Sequence, residues 1–213
     1  MNYQILKDIF RRSREYNDLV TALNQPHRGR HRPYYVSGLT EGAERVFLGA
    51  FCEDFRDNGD PILLICTDDK AAAGYRNLLQ AMGVRAALYP TREYNFNNMT
   101  ASHDFENERL SVLSALYGIA TGSYEMPDAP EVICTAAEAL LQVTMPPDQL
   151  GDATIHLTMS DPVDTAAMTE KLTASGYTRV DLVEGAGQFA IRGGIIDVYP
   201  PLAHPLRIEL FGD

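Results

Sequence analysis

No apolar run in the sequence approaches the roughly 20 residues that a membrane-spanning helix needs. The opening stretch MNYQILKDIFRRSREY has no hydrophobic region of the secretory type. Both absences lead to the expectation of a cytoplasmic protein with no membrane partner. Cysteine is scarce: Cys52, Cys66 and Cys134 sit among apolar neighbours without C-x-x-C spacing, and are expected to be reduced residues of a core. The five histidines form neither H-E-x-x-H nor an i, i+4 pair, so no metal site is expected. No serine, threonine or cysteine stands in a G-x-S-x-G setting, and no active site is legible.

Positive charge is also short, and unevenly placed. The net charge is −11. Residues 1–32 carry seven basic and three acidic side chains, residues 33–144 seven and sixteen, and residues 145–213 four and ten. A body of that sign repels phosphate, which makes duplex DNA a poor partner for these residues by themselves. The basic knot HRGRHRP at 27–33 could meet phosphate or could be a solvated linker. The 213 residues, 45% of them hydrophobic, suffice for one large domain or two small ones. Ending on the strand-like RIELFGD with no closing element, the chain is expected to be a fragment of something longer.

What is present is alternation. After an amphipathic helical region at 3–23, PYYVSGL reads as a strand and loop, and ERVFLGAFCEDFRDN as a helix. PILLICT reads as a strand covered on both faces, followed by the helix DDKAAAGYRNLLQAMG with Asp68 or Asp69 as its cap and Gly83 as its stop. VRAALYP, FENERLSVLSALYGIA and APEVICTA add a strand, a helix and a buried strand. Strands alternating with helices imply a parallel sheet with crossover helices, an α/β domain over 1–144. The prolines and glycine of MPPDQLGD, residues 145–152, mark a boundary. A smaller α+β domain over 145–213 follows. It has IHLTMS as a strand, VDTAAMTEKLTASGY as a helix starting near Asp161 or Asp164, and an antiparallel sheet from TRVDLVE, GQFAIRGGIIDVYP and LRIELFG.

Within the first domain, VSGLTEGAERVF has the strand, glycine loop and helix layout of the phosphate-binding motif G-x-x-x-x-G-K-[ST]. Gly38 and Gly42 bracket the loop, but Glu44 stands where the lysine belongs and Arg45 where the magnesium-holding hydroxyl belongs. A carboxylate beside a triphosphate is repelled by about 1–4 kcal/mol even with substantial screening. The loop is therefore expected to be dead as a nucleotide site; an ordinary glycine turn is equally open on these residues alone.

In the second domain, Phe189 and Ile191 alternate with Ala190 and Arg192 across a strand, and Gly193-Gly194 permits a bulge or tight bend. Arg179, Arg192 and Arg207 are three of the domain's four basic residues. Each could balance a neighbouring acid or form part of a docking site.

This stretch resembles the signature of the UvrB excision-repair subunit and its relatives, the transcription-repair coupling factors (Mfd). The matching residues are Gly176, Tyr177, Arg179, Gly187, Phe189, Arg192, Gly193, Ile196, Asp197, Tyr199 and Pro200, then Leu206, Arg207, Glu209, Phe211 and Asp213. PILLICTDDKAAAGYRNLL and PEVICTAAEALLQVTMPP agree more loosely with the strand and helix after the family's P-loop and with the strand entering its inserted domain. The resemblance implies a degenerate UvrB-like, P-loop-like first domain. Gly38, Gly42, Glu44 and Arg45 would be the relic of a nucleotide loop, since the coupling factor's module lacks the ATPase motifs of UvrB. It implies that the second domain binds UvrA through Arg179 and Arg192, with Phe189 as an apolar contact or support. A further arginine of that contact is replaced here by Ala190. The implied role is a non-catalytic adaptor recruiting UvrA, the damage-recognition ATPase of nucleotide excision repair, to stalled RNA polymerase. No cofactor is expected here; ATP and magnesium, and contacts to RNA polymerase and DNA, belong to other domains of the full-length protein, an ATP-dependent translocase. A UvrB-type ATPase and strand-opening module, or a purely structural domain, are the alternatives.

Overall fold

A computed structural model describes residues 3–25, 33–40, 42–56, 59–92, 104–122, 129–159, 161–200 and 204–211. Most of the basic knot at 27–33 lies outside the described residues, as does Asp213. The chain forms two compact units, residues 1–92 with 124–142, and residues 93–123 with 143–213.

The first unit is α/β. Helices α1 (Tyr3–Arg11), α2 (Arg14–Leu23) and α3 (Ala43–Asp54) precede strand β1 (Ile62–Cys66), helix α4 (Asp69–Ala81) and strand β2 (Ala86–Tyr89). Strand β3 (Val132–Ala136) returns to this unit and runs into the short helix α6 (Ala137–Leu141). The three strands are parallel in the order β1-β3-β2. Ile62 and Ala86 both register with Val132. A central strand is shielded on both sides, and β3 is buried along its whole length. Its Val132 and Cys134 pack with Ala86, Leu88, Leu79 and Cys52 in the main core. Helix α4 covers this face because Asp68 caps it as expected, accepting the Ala71 N–H at 2.7 Å.

Two expectations fail here. β1 is not covered on both faces: Leu63 and Ile65, which share one face, are about half exposed. The run PYYVSGL forms no strand: residues 33–40 carry no helix or ladder, and Tyr35 is 89% exposed. Three apolar residues, two of them tyrosines whose hydroxyls tolerate water, do not compel burial.

The second unit contains helix α5 (Asp104–Thr121), helix α7 (Pro147–Ala153), helix α8 (Thr165–Ala174) and strands β4 (Thr178–Arg179), β5 (Gln188–Arg192), β6 (Ile195–Tyr199) and β7 (Leu206–Glu209). MPPDQLGD, read as boundary punctuation, also supplies α7, since Pro147 at the first helical position needs no N–H partner. IHLTMS forms no strand among its described residues. Asp164 caps α8 through the Ala166 and Ala167 N–H groups. The sheet order is β4-β5-β6-β7. β5, β6 and β7 are antiparallel, but β4 runs parallel to β5, so the sheet is mixed and not purely antiparallel. Gly193 and Gly194 close a two-residue hairpin between Arg192 and Ile195. Gly193 has φ 59°, and a Cβ on Gly194 would crowd the Leu210 carbonyl at 3.3 Å.

Candidate partner-binding site

Strand alternation gives the mixed sheet two unlike faces. Phe189, Ile196 and Val198 are buried with Met168 and Leu172 of α8, and Ile191 and Ile208 complete that core. Phe189 is fully buried, so it supports the sheet from beneath and presents no surface. The opposite face carries Ala190 and Arg192 of β5, Asp197 of β6 and Arg207 of β7.

The register decides what meets there. Asp197 stands opposite Ala190 on one side and Arg207 on the other. Its Oδ1 accepts from Arg207 Nε at 2.6 Å, and its Oδ2 from Arg207 Nη2 at 3.0 Å and Arg192 Nη2 at 2.7 Å. The hydrogen bonds from Arg207, with those from Arg192, outweigh partial burial and hold the Asp197 carboxyl down to about 2. One carboxylate thus serves two guanidiniums, leaving the cluster with a net charge of +1. The Asp197 side chain is 13% exposed, whereas Arg192 and Arg207 are 51% and 56% exposed. Arg179, on β4, is exposed and has no side-chain partner among the described residues. Ala190 is buried and offers no polar group. Sequence reading named Arg179 and Arg192 but left Asp197 and Arg207 outside the site. The joining signal is cross-strand register, which single-strand alternation does not supply.

Residues 155–213 match the UvrB interaction domain family. The chain is 28% identical over 204 residues, 93% of its length, to the transcription-repair-coupling factor of Bacillus subtilis. It is 26% identical over 97% of its length to that of Staphylococcus aureus, strain MRSA252. Over most of its length the chain is thus similar to transcription-repair coupling factors. Against the Mycobacterium bovis member, identity rises to 42% over 84 residues, 38% of the chain and 7% of that protein. The chain spans 16% of the length of the Bacillus and Staphylococcus relatives.

In the first unit, the glycine loop lacks the strand that would lead into it. Gly42, with φ 90°, caps α3 without a side-chain hydrogen bond, and the Ala43 N–H donates to the Thr40 carbonyl at 2.9 Å. Glu44 lies in the first turn of α3 and accepts the Tyr75 hydroxyl at 3.3 Å; Arg45 is exposed. Partial burial, then the nearby Glu44 charge, raises the Tyr75 hydroxyl above its ordinary range. Among the described residues no cluster of His, Cys, Asp or Glu could hold a metal ion, and no helix is long and apolar enough to cross a membrane.

Proposed function

We propose that this chain is a non-catalytic adaptor whose second unit binds UvrA, with Arg179 and Arg192 as anchors and Phe189 as their buried support. The observation that carries this reading is two exposed arginines on neighbouring strands of one sheet inside the matched UvrB interaction domain, Arg179 in register with Phe189 and Arg192 on the opposite face. An arginine fork pairs bidentately with carboxylates and is a frequent interface hot spot. In the full-length protein the adaptor recruits UvrA to stalled RNA polymerase, while polymerase, DNA, ATP and magnesium are handled by other domains of an ATP-dependent translocase.

The reading includes no ATPase activity in these residues. Gly38, Gly42, Glu44 and Arg45 are the relic of a P-loop in a degenerate UvrB-like domain; the carboxylate of Glu44 opposes a triphosphate. Calorimetry with ATP is expected to give no binding, and a micromolar affinity displaced by ADP would restore the ATPase alternative.

The adaptor is tested by titrating UvrA against the chain and its Arg179→Ala, Arg192→Ala double variant, with circular dichroism confirming the fold. Either single replacement is expected to weaken binding by about 2 kcal/mol, roughly thirtyfold, when the partner's carboxylate is left unpaired. Unchanged affinity of the folded double variant overturns the site.

A further inference from the structure

We propose that Asp197 is the positioning residue of this site: one carboxylate fixes the guanidiniums of Arg192 and Arg207 before docking, so that their remaining N–H donors face an acidic partner surface. The inference rests on the adaptor reading and concerns how that surface reaches its affinity.

Geometry supplies the argument. Arg192 commits only Nη2 to Asp197, and Arg207 commits Nε and Nη2. A guanidinium has five N–H donors, so each arginine keeps several free. Both heads stay about half exposed while the carboxylate between them is nearly covered. Asp197 is itself held by two neighbouring strands, whose registers place Ala190 and Arg207 beside it. The small, buried Ala190 brings no competing donor to the carboxylate. Long side chains ordered in the free protein do not lose that freedom on docking, which favours the complex.

Asp197 also has an opposite effect. It lowers the charge of the cluster from +2 to +1 and weakens attraction toward an acidic surface. Positioning and masking therefore predict opposite signs for one substitution. Asp197→Asn keeps the size, removes the negative charge and weakens the hold on both guanidiniums. If masking dominates, the variant binds an acidic partner more tightly. If positioning dominates, it binds more weakly although its charge has moved in the favourable direction. A purely structural role changes the melting curve and leaves the affinity of the folded protein alone.

The experiment is surface-plasmon kinetics of UvrA with the unaltered chain, with Asp197→Asn and with the Arg179→Ala, Arg192→Ala double variant. The expected result for Asp197→Asn is affinity about tenfold weaker, carried by faster dissociation with undiminished association, the scale of two side chains immobilised at docking. Equal or tighter binding overturns the proposal. A second measurement does not depend on the variant folding: in the unaltered free chain, the Arg207 Nε–H is expected to exchange more slowly than that of Arg179, which has no side-chain partner among the described residues. Indistinguishable exchange also overturns it. Loss of UvrA binding in the double arginine variant with none in Asp197→Asn rejects the positioning role alone. No UvrA binding by the unaltered chain rejects both this role and the adaptor.

Discussion

Each unit of the molecule holds an arginine–carboxylate cluster, and the two are built to opposite ends. In the first, Lys7 and Arg11 of α1 reach Glu53 and Asp54 of α3. Asp8 also pairs with Arg11, and the Tyr16 hydroxyl donates to Asp54 at 2.6 Å. Two cations face three carboxylates, and Lys7 is only 2% exposed. The cluster fastens α1 to α3, and its cations have little left to offer a partner. In the second, two cations share Asp197, and both heads remain in water. In a chain with a net charge of −11, that sheet keeps a surplus cation, as does the group of the first unit in which Arg56 and Arg85 share the buried Glu131. Burial of the cations and the number of carboxylates set how much charge these two clusters leave for a partner.

The largest expected effect asks where the second unit's own stability lies. Phe189→Ala is expected to cost about 3–5 kcal/mol by urea denaturation, the usual result of emptying a buried phenylalanine site. Arg207→Ala, by contrast, is expected to cost only about 1 kcal/mol, the loss of half-exposed hydrogen bonds to Asp197. A midpoint loss from Arg207 rivalling that from Phe189 would break the comparison.

Next is the staple. Lys7→Ala leaves Glu53 with Arg11 alone and is expected to destabilise the first unit by about 2–3 kcal/mol, somewhat below the cost of fully orphaning a buried charge. UvrA affinity of the folded variant is expected to stay at the parental value. Salt sharpens the same contrast: raising sodium chloride to about 1 M screens exposed charges far more than buried ones. UvrA binding should therefore weaken steeply, while the destabilisation caused by Lys7→Ala should shrink little.

The smallest effect is in acid. Partial burial would raise the Glu53 carboxyl, but hydrogen bonds from Lys7 and Arg11 keep it below its ordinary range; Asp197 is held down to about 2. A carboxyl depressed on folding contributes its stabilisation fully above the unfolded value near 4 and loses it as pH falls through the folded value. The stability gap between the unaltered chain and Asp197→Asn should be flat from pH 7 to about 4 and close as pH approaches 2. Urea midpoints across that range measure it. A gap that closes near neutrality would mean that Asp197 is not held by its arginines.

The cysteines behave as their neighbours suggested. Cys52 and Cys134 are free and buried, and loss of solvation raises both thiols to about 12. Cys66, on edge strand β1, is only partly covered. Apolar surroundings were legible in sequence; the edge was not.

Local chemistry alone determined a good part of this protein. Asp68 or Asp69 and Asp161 or Asp164 marked helix starts, because a carboxylate satisfies the first free N–H groups, and the structure has Asp68 and Asp164 as the caps. The alternation of Phe189-Ala190-Ile191-Arg192 determined which side chains enter the core, and the arginine and glycine pattern around it carried the family resemblance. Tertiary structure decided what depends on neighbours distant in the chain. It made β3 central and left the Leu63/Ile65 face of β1 open, so equally apolar runs differ in burial. It left Tyr34-Tyr35-Val36 without a ladder and turned β4 parallel to β5. It also set Arg207 across from Asp197, because pairing register is fixed by contacts between strands and not by the pattern within one.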